Sequence, residues 1–174
     1  PGEASPAPGA PVAASHAGDT ASAGFAQEIL QAHNFYRCLH GVPPLQWHAQ
    51  VAEYAQAWVN RGVFEHSDSY HSPLGPMGEN LYGSSRLPSG ADAARAWYSE
   101  SAGYVYGSDG SHGSGHFTAM IWKDARYLGC GRARGNISCN YWPGPQARGC
   151  AVPNMGGCYA AQVLPPVRNA SACR

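Results

Sequence analysis

The chain has 174 residues, and its eleven basic and eleven acidic side chains cancel. That size suits one ordinary domain, and the neutral balance leaves no footprint for nucleic acid or an anionic membrane in the composition. Only 13% of residues are charged, against 22 Gly and 14 Pro, which excludes a bundle of long solvated helices and favours a loop-rich domain.

In chain order, residues 1 to 23 are rich in Pro, Ala and Ser without hydrophobic period, and are expected to form a flexible leader that cannot offset its ordering entropy. From Phe25 the pattern changes: Phe25, Ile29, Ala32, Tyr36 and Leu39 recur at helical spacing until Gly41, Pro43 and Pro44 stop it. A second helix is expected from His48 to Arg61, with Val51, Tyr54, Ala55 and Trp58 on one face. A third is expected from Ser89, through Ala93, Ala96, Trp97 and Glu100, to Gly103. Between them, residues 65 to 88 are turn-rich and aperiodic and read as a long ordered loop, the kind of segment that carries function. Residues 126 to 133 and 136 to 142 read as two short strands, and residues 157 to 164 as a candidate third. Helices followed by strands indicate an α+β domain with helices covering an antiparallel sheet.

The six cysteines, Cys38, Cys130, Cys139, Cys150, Cys158 and Cys173, contain no C-x-x-C pair, so a zinc ribbon or a thioredoxin-type redox motif has no support. An even count points instead to disulfides and an oxidising compartment. Two sequons, at Asn136 and Asn169, are candidate glycosylation sites and agree with secretion. The first residue is Pro and no apolar run approaches transmembrane length. The expectation is a mature chain from which a signal peptide has been removed.

Several blocks occur together in order: "HNFYRCLHGVPPLQW" from residue 33, "HS" at 66, "GENLY" at 78, "AWYSE" at 96, "GHFTAMIW" at 115, and "LGCGRA" with "ISCNYWP". In this combination the chain resembles the superfamily of cysteine-rich secretory, antigen 5 and pathogenesis-related 1 proteins (CAP). The resemblance implies a three-layer α-β-α sandwich over residues 24 to 165, with residues 166 to 174 as a tail tied by a cysteine. It also implies a secreted, mostly non-catalytic protein with a cleft of two histidines and two acids, matched here by His66, Glu79, Glu100 and His116. In members where metal has been seen, the histidines hold a divalent cation such as zinc. The tail beyond "CNYW" departs from the family pattern, as does Ala125, where a small hydroxyl residue or Asn is usual.

Two imidazoles and two carboxylates suit a borderline divalent cation, with coordination left open to water. The same four groups also suit a hydrogen-bonded tie between the loop, the third helix and the "GHFT" segment. His33, Asn34 and Arg37 are expected to join elements rather than to react, and His71 and His112 to be solvated loop residues. Trp47, Trp58, Trp97 and Trp122 are expected in the core. In sterol-binding family members an aromatic loop precedes the "GHFT" segment; here Tyr104 and Tyr106 loosely match it.

The resemblance also suggests pairing Cys130 with Cys139. Elimination and proximity suggest Cys150 with Cys158, and Cys38 with Cys173. Three functions stay open at this stage. One is a non-catalytic secreted protein that binds sterol or another lipid and acts in defence. Another is an interaction module for an extracellular protein or cell-wall component. The third is a metal-assisted peptidase with Glu79 or Glu100 as general base, although neither H-E-x-x-H nor G-x-S-x-G occurs. The oligomeric state is not written in the sequence.

Overall fold

The structure, a computed structural model, describes the backbone of residues 17–174 and side chains from residue 22. Residues 1 to 16 of the expected leader lie outside the described residues. Its last seven belong instead to a helix, because α1 runs Ala17–Leu39.

After α1 come a two-residue strand β1 (Gln46–Trp47), α2 (Ala49–Val59), β2 (Gly78–Gly83) and α3 (Gly90–Ser99). Then follow α4 (Gly115–Ile121), β3 (Tyr127–Ala133), β4 (Asn136–Trp142) and a short α5 (Tyr159–Gln162). Ser89 caps α3 by accepting a hydrogen bond from the Asp92 backbone N–H. The four strands lie in the order β1-β3-β4-β2. The β2/β4 and β3/β4 pairs are antiparallel, and β1 joins the edge of β3 in parallel. A two-residue turn links β3 to β4. Both its residues, Arg134 and Gly135, have positive φ (51° and 88°), which is how a tight hairpin follows the twist of its strands.

Each face of the sheet carries its own core. On one side α2 buries Val51, Ala55 and Val59, and Val51 meets Met77 and Trp142. The approach is close because β3 presents glycines: a Cβ on Gly131 would lie 2.4 Å from the Gln56 Cα, and one on Gly129 would lie 2.2 Å from the Ala52 nitrogen. On the other side α1, α3 and α4 enclose the larger core, with Ile29, Trp97, Phe117, Met120, Ile121, Leu128 and Tyr141 buried. The result is the three-layer α-β-α sandwich.

Arg37 on α1 is fully buried and ties the larger core to the turns around it. Its guanidinium donates to the carbonyls of Pro43 (2.8 Å), Met120 (2.9 Å), Trp122 (2.9 Å) and Ala125 (3.3 Å). His33, one turn earlier, is also fully buried. Its Nδ1 bonds the Ile29 carbonyl at 2.7 Å, so that nitrogen carries the proton. Nε2 therefore accepts from the Tyr141 hydroxyl (2.8 Å), which in turn accepts from Asn80 Nδ2 (2.9 Å). Burial holds the imidazole well below its usual 6.5, at about 4.

Several sequence expectations change. Residues 65 to 88 are not all loop. They contain β2 and a 3-10 turn, Ser69–His71. Residues 157 to 164 contain the short helix α5 rather than a strand, and the "GHFTAMI" segment, given no element from the sequence, is helical. Trp58 is not core: it is half-buried, its indole N–H donates to the Glu65 carbonyl (2.7 Å), and the Arg61 guanidinium lies 4.2 Å from its ring. The disulfides join Cys38 to Cys173, Cys130 to Cys139 and Cys150 to Cys158, with no free cysteine among the described residues.

Candidate functional site

β2 lies beside β4 in a register that sets Glu79 opposite Asn140. The Glu79 side chain is 3% exposed, a burial that an unpaired carboxylate would not tolerate. One oxygen accepts from the Ser67 N–H (2.8 Å) and His66 Nδ1 (2.8 Å). The other accepts from the Ser67 hydroxyl and, at 3.4 Å, from Ser138 and Asn140. Tyr54 on α2 donates to the Ser67 hydroxyl (3.0 Å), so the loop carrying His66 is fixed to both α2 and the sheet.

Glu100 follows α3 and reaches the start of α4. One oxygen accepts from the backbone N–H groups of His116 (2.9 Å) and Phe117 (3.2 Å), the other from His116 Nδ1 (2.6 Å). The carboxylate thereby satisfies donors that a helix start leaves open. The His116 carbonyl accepts from Asn80 Nδ2 (2.9 Å), which places this residue at the end of the His33–Tyr141–Asn80 chain. The Trp97 ring is stacked beside the His116 imidazole, with centroids 6.3 Å apart.

His66, Glu79, Glu100 and His116 line one cleft of about 270 Å³ with Asn80, Gly113, Gly115 and Asn154. Each histidine gives Nδ1 to its own carboxylate, and among the described residues neither Nε2 has a hydrogen-bond partner. In this geometry each carboxylate orients its imidazole and leaves Nε2 without a protein partner among the described residues. No cluster of three or more potential metal ligands occurs among the described residues.

Two lining residues, Asn80 and Asn154, escaped the sequence reading. Asn80 sits inside the "GENLY" block directly after Glu79, and a polar residue in a short strand carries no periodicity signal. Asn154 comes from the tail. It has φ +63°, accepts from the Thr118 hydroxyl (2.6 Å) and donates to the Gly115 carbonyl (3.0 Å). Only the resulting contact with α4 reveals it.

Of the other sequence candidates, His71 and His112 are exposed on loops beside Asp68 and Asp109. Tyr104 is 6% exposed and packs on Phe117 and the half-buried Tyr106. The exposed apolar side chain of that loop is Val105. A second cavity, about 410 Å³, lies between α1 and α2 with Phe25, Ala26, Trp47 and Ala52 in its lining, and shares no residue with the tetrad cleft. At the sequons, Asn136 is half-buried and Ser138 fully buried, whereas Asn169 is exposed.

Residues 30–142 match the model of the cysteine-rich secretory protein family, CAP. Human Golgi-associated plant pathogenesis-related protein 1 is 36% identical over 159 residues, covering 86% of this chain and 98% of the relative. Repressed by EFG1 protein 1 of Candida albicans is 34% identical over 161 residues and 88% of this chain, which spans 59% of that relative's length. Among solved structures, NaASP2 with Zn2+ superposes with a TM-score of 0.57 at 24% identity, over 78% of this chain and 88% of that one.

Proposed function

The chain belongs to the cysteine-rich secretory protein (CAP) family, and from that premise we propose that it is an extracellular, non-catalytic binding domain whose cleft takes a divalent cation through His66 and His116. The observation that carries this reading is the division of labour in the tetrad. Every carboxylate oxygen accepts from a protein donor, while among the described residues neither Nε2 atom has a partner. A peptidase would need a carboxylate free to take a proton from bound water, whereas every oxygen of Glu79 and Glu100 already accepts from at least one protein donor. Imidazole suits zinc or copper, and a two-histidine site completed by water is open and weak rather than structural. That a structural relative was solved with zinc agrees with this choice of cation. Secretion is supported by the family and by six cysteines that are all paired.

A second ligand, a lipid or sterol, is favoured by the cavity beside Phe25, Ala26 and Trp47 more than by the Tyr104 loop, whose first tyrosine is already spent on the core. An extracellular partner protein or cell-wall component remains the alternative use of the same surface.

Titration calorimetry with zinc tests the main reading. The expected result is one binding event, weakened at least about tenfold in His66→Ala and in His116→Ala, and weakened on acidification because a protonated imidazole cannot ligate. Zinc binding that survives in the double variant would sink the proposed site.

A further inference from the structure

Three turns meet at the end of the sheet where β2 and β3 finish: residues 61 to 65 after α2, 83 to 87 after β2, and the β3–β4 turn at 134 and 135. Their contact is direct. A Cβ on Gly62 would lie 2.8 Å from the Arg134 guanidinium, the Phe64 ring lies against Gly83, and the Ser84 N–H donates to the Gly135 carbonyl (2.8 Å). Arg132 fastens the same corner by donating to the Pro88 carbonyl (3.0 Å).

These segments carry Arg61, Arg86 and Arg134, all exposed, against a single carboxylate, Glu65. Among the described residues none of the three arginines has an ion-pair partner, whereas Arg95 and Arg126 do. Between them stand three exposed apolar side chains, Val63 (38%), Phe64 (58%) and Leu87 (64%), half of the large hydrophobic residues exposed among the described ones. A chain of zero net charge has therefore collected at one corner apolar groups and cations that lack carboxylate partners among the described residues, with Arg61 resting on the Trp58 ring.

We propose that this corner is a docking surface for a bilayer with anionic headgroups, with the arginines at the phosphate and carboxylate level and Phe64, Leu87 and Val63 entering the headgroup–acyl boundary. Charge complementarity calls for an anionic partner. The apolar trio selects a bilayer over a soluble polyanion, because interfacial binding draws on both terms and a polysaccharide draws only on the first. The surface is separate from the 410 Å³ cavity and from the tetrad cleft, and it requires neither a bound cation nor an internal lipid.

Cosedimentation with vesicles tests it, using phosphatidylcholine alone and phosphatidylcholine mixed equally with phosphatidylserine. The protein should partition onto the mixed vesicles only, and less so as salt is raised. Each of Arg61→Gln, Arg86→Gln and Arg134→Asn should cost about fivefold in partitioning. Phe64→Ser with Leu87→Ser should weaken binding without changing its salt dependence. All are surface changes, so an unchanged melting temperature verifies the fold. Binding to neutral vesicles alone, binding that persists in the triple arginine variant, no vesicle binding at all, or retention on dextran sulfate without vesicle binding would each overturn the proposal.

Discussion

A histidine at position 33 that must stay neutral makes stability depend on pH with a definite sign. In the fold Nδ1–H is given to the Ile29 carbonyl and Nε2 faces a hydroxyl that already accepts from Asn80. Protonating Nε2 would put a second donor on the Tyr141 oxygen and leave the tyrosine proton without an acceptor, inside a fully desolvated site. The folded-state value is therefore about 4 against 6.5 when unfolded. Above 6.5 both states are neutral and the stability is complete. As pH falls from 6.5 toward 4 the unfolded chain takes up a proton that the folded chain refuses, and stability is lost. The linkage amounts to about 2.5 kcal/mol between pH 7 and roughly pH 4.5. Urea unfolding of the wild type and of His33→Gln at both pH values isolates this contribution, because the glutamine cannot titrate and its lost contacts enter equally at each pH. The stability difference between the two proteins should shift by about 2.5 kcal/mol, with the wild type losing more on acidification. A difference that stays constant over that range refutes the account of a buried, neutral His33.

Arg37→Met keeps most of the side-chain volume but strands four carbonyls that now share one guanidinium. Relief of a buried charge offsets part of the damage, and the net loss should be about 3 to 5 kcal/mol in chemical denaturation. Gly131→Ala drives a methyl group into the α2 backbone at 2.4 Å. It should cost roughly 1 to 3 kcal/mol, and a melting temperature equal to that of the wild type would show that α2 does not rest on this strand.

The sequence disclosed α1, α2 and α3 because each has one wet face and one dry face, so its period survives in the order of residues. It concealed α4, whose residues Phe117 to Ile121 are all buried, because a run buried on every side has no helical period. It concealed β2 for the opposite reason. Glu79 and Asn80 are buried polar residues whose partners come from Ser67, Ser138, Asn140 and Tyr141, and nothing local announces those distant partners. The tetrad was legible only through its resemblance to a family. Its chemistry was not, since the division between orienting carboxylates and open Nε2 atoms depends on which nitrogen faces which oxygen. Trp58 misled because its helical spacing fits a core face, yet α2 ends a residue later and the ring closes over the next turn.

The bond between Cys38 and Cys173 spans a sequence separation of 135, and it turns nearly the whole domain into a covalent ring. The other two disulfides are nested inside that ring, as are all four residues of the cleft. A protease that cuts any one surface loop within it opens the ring without releasing a piece. Both new ends stay attached to the same molecule, and the noncovalent layers can hold them in register. Two cuts are needed to shed a fragment, which makes the architecture tolerant of nicking in surroundings where proteases cannot be avoided.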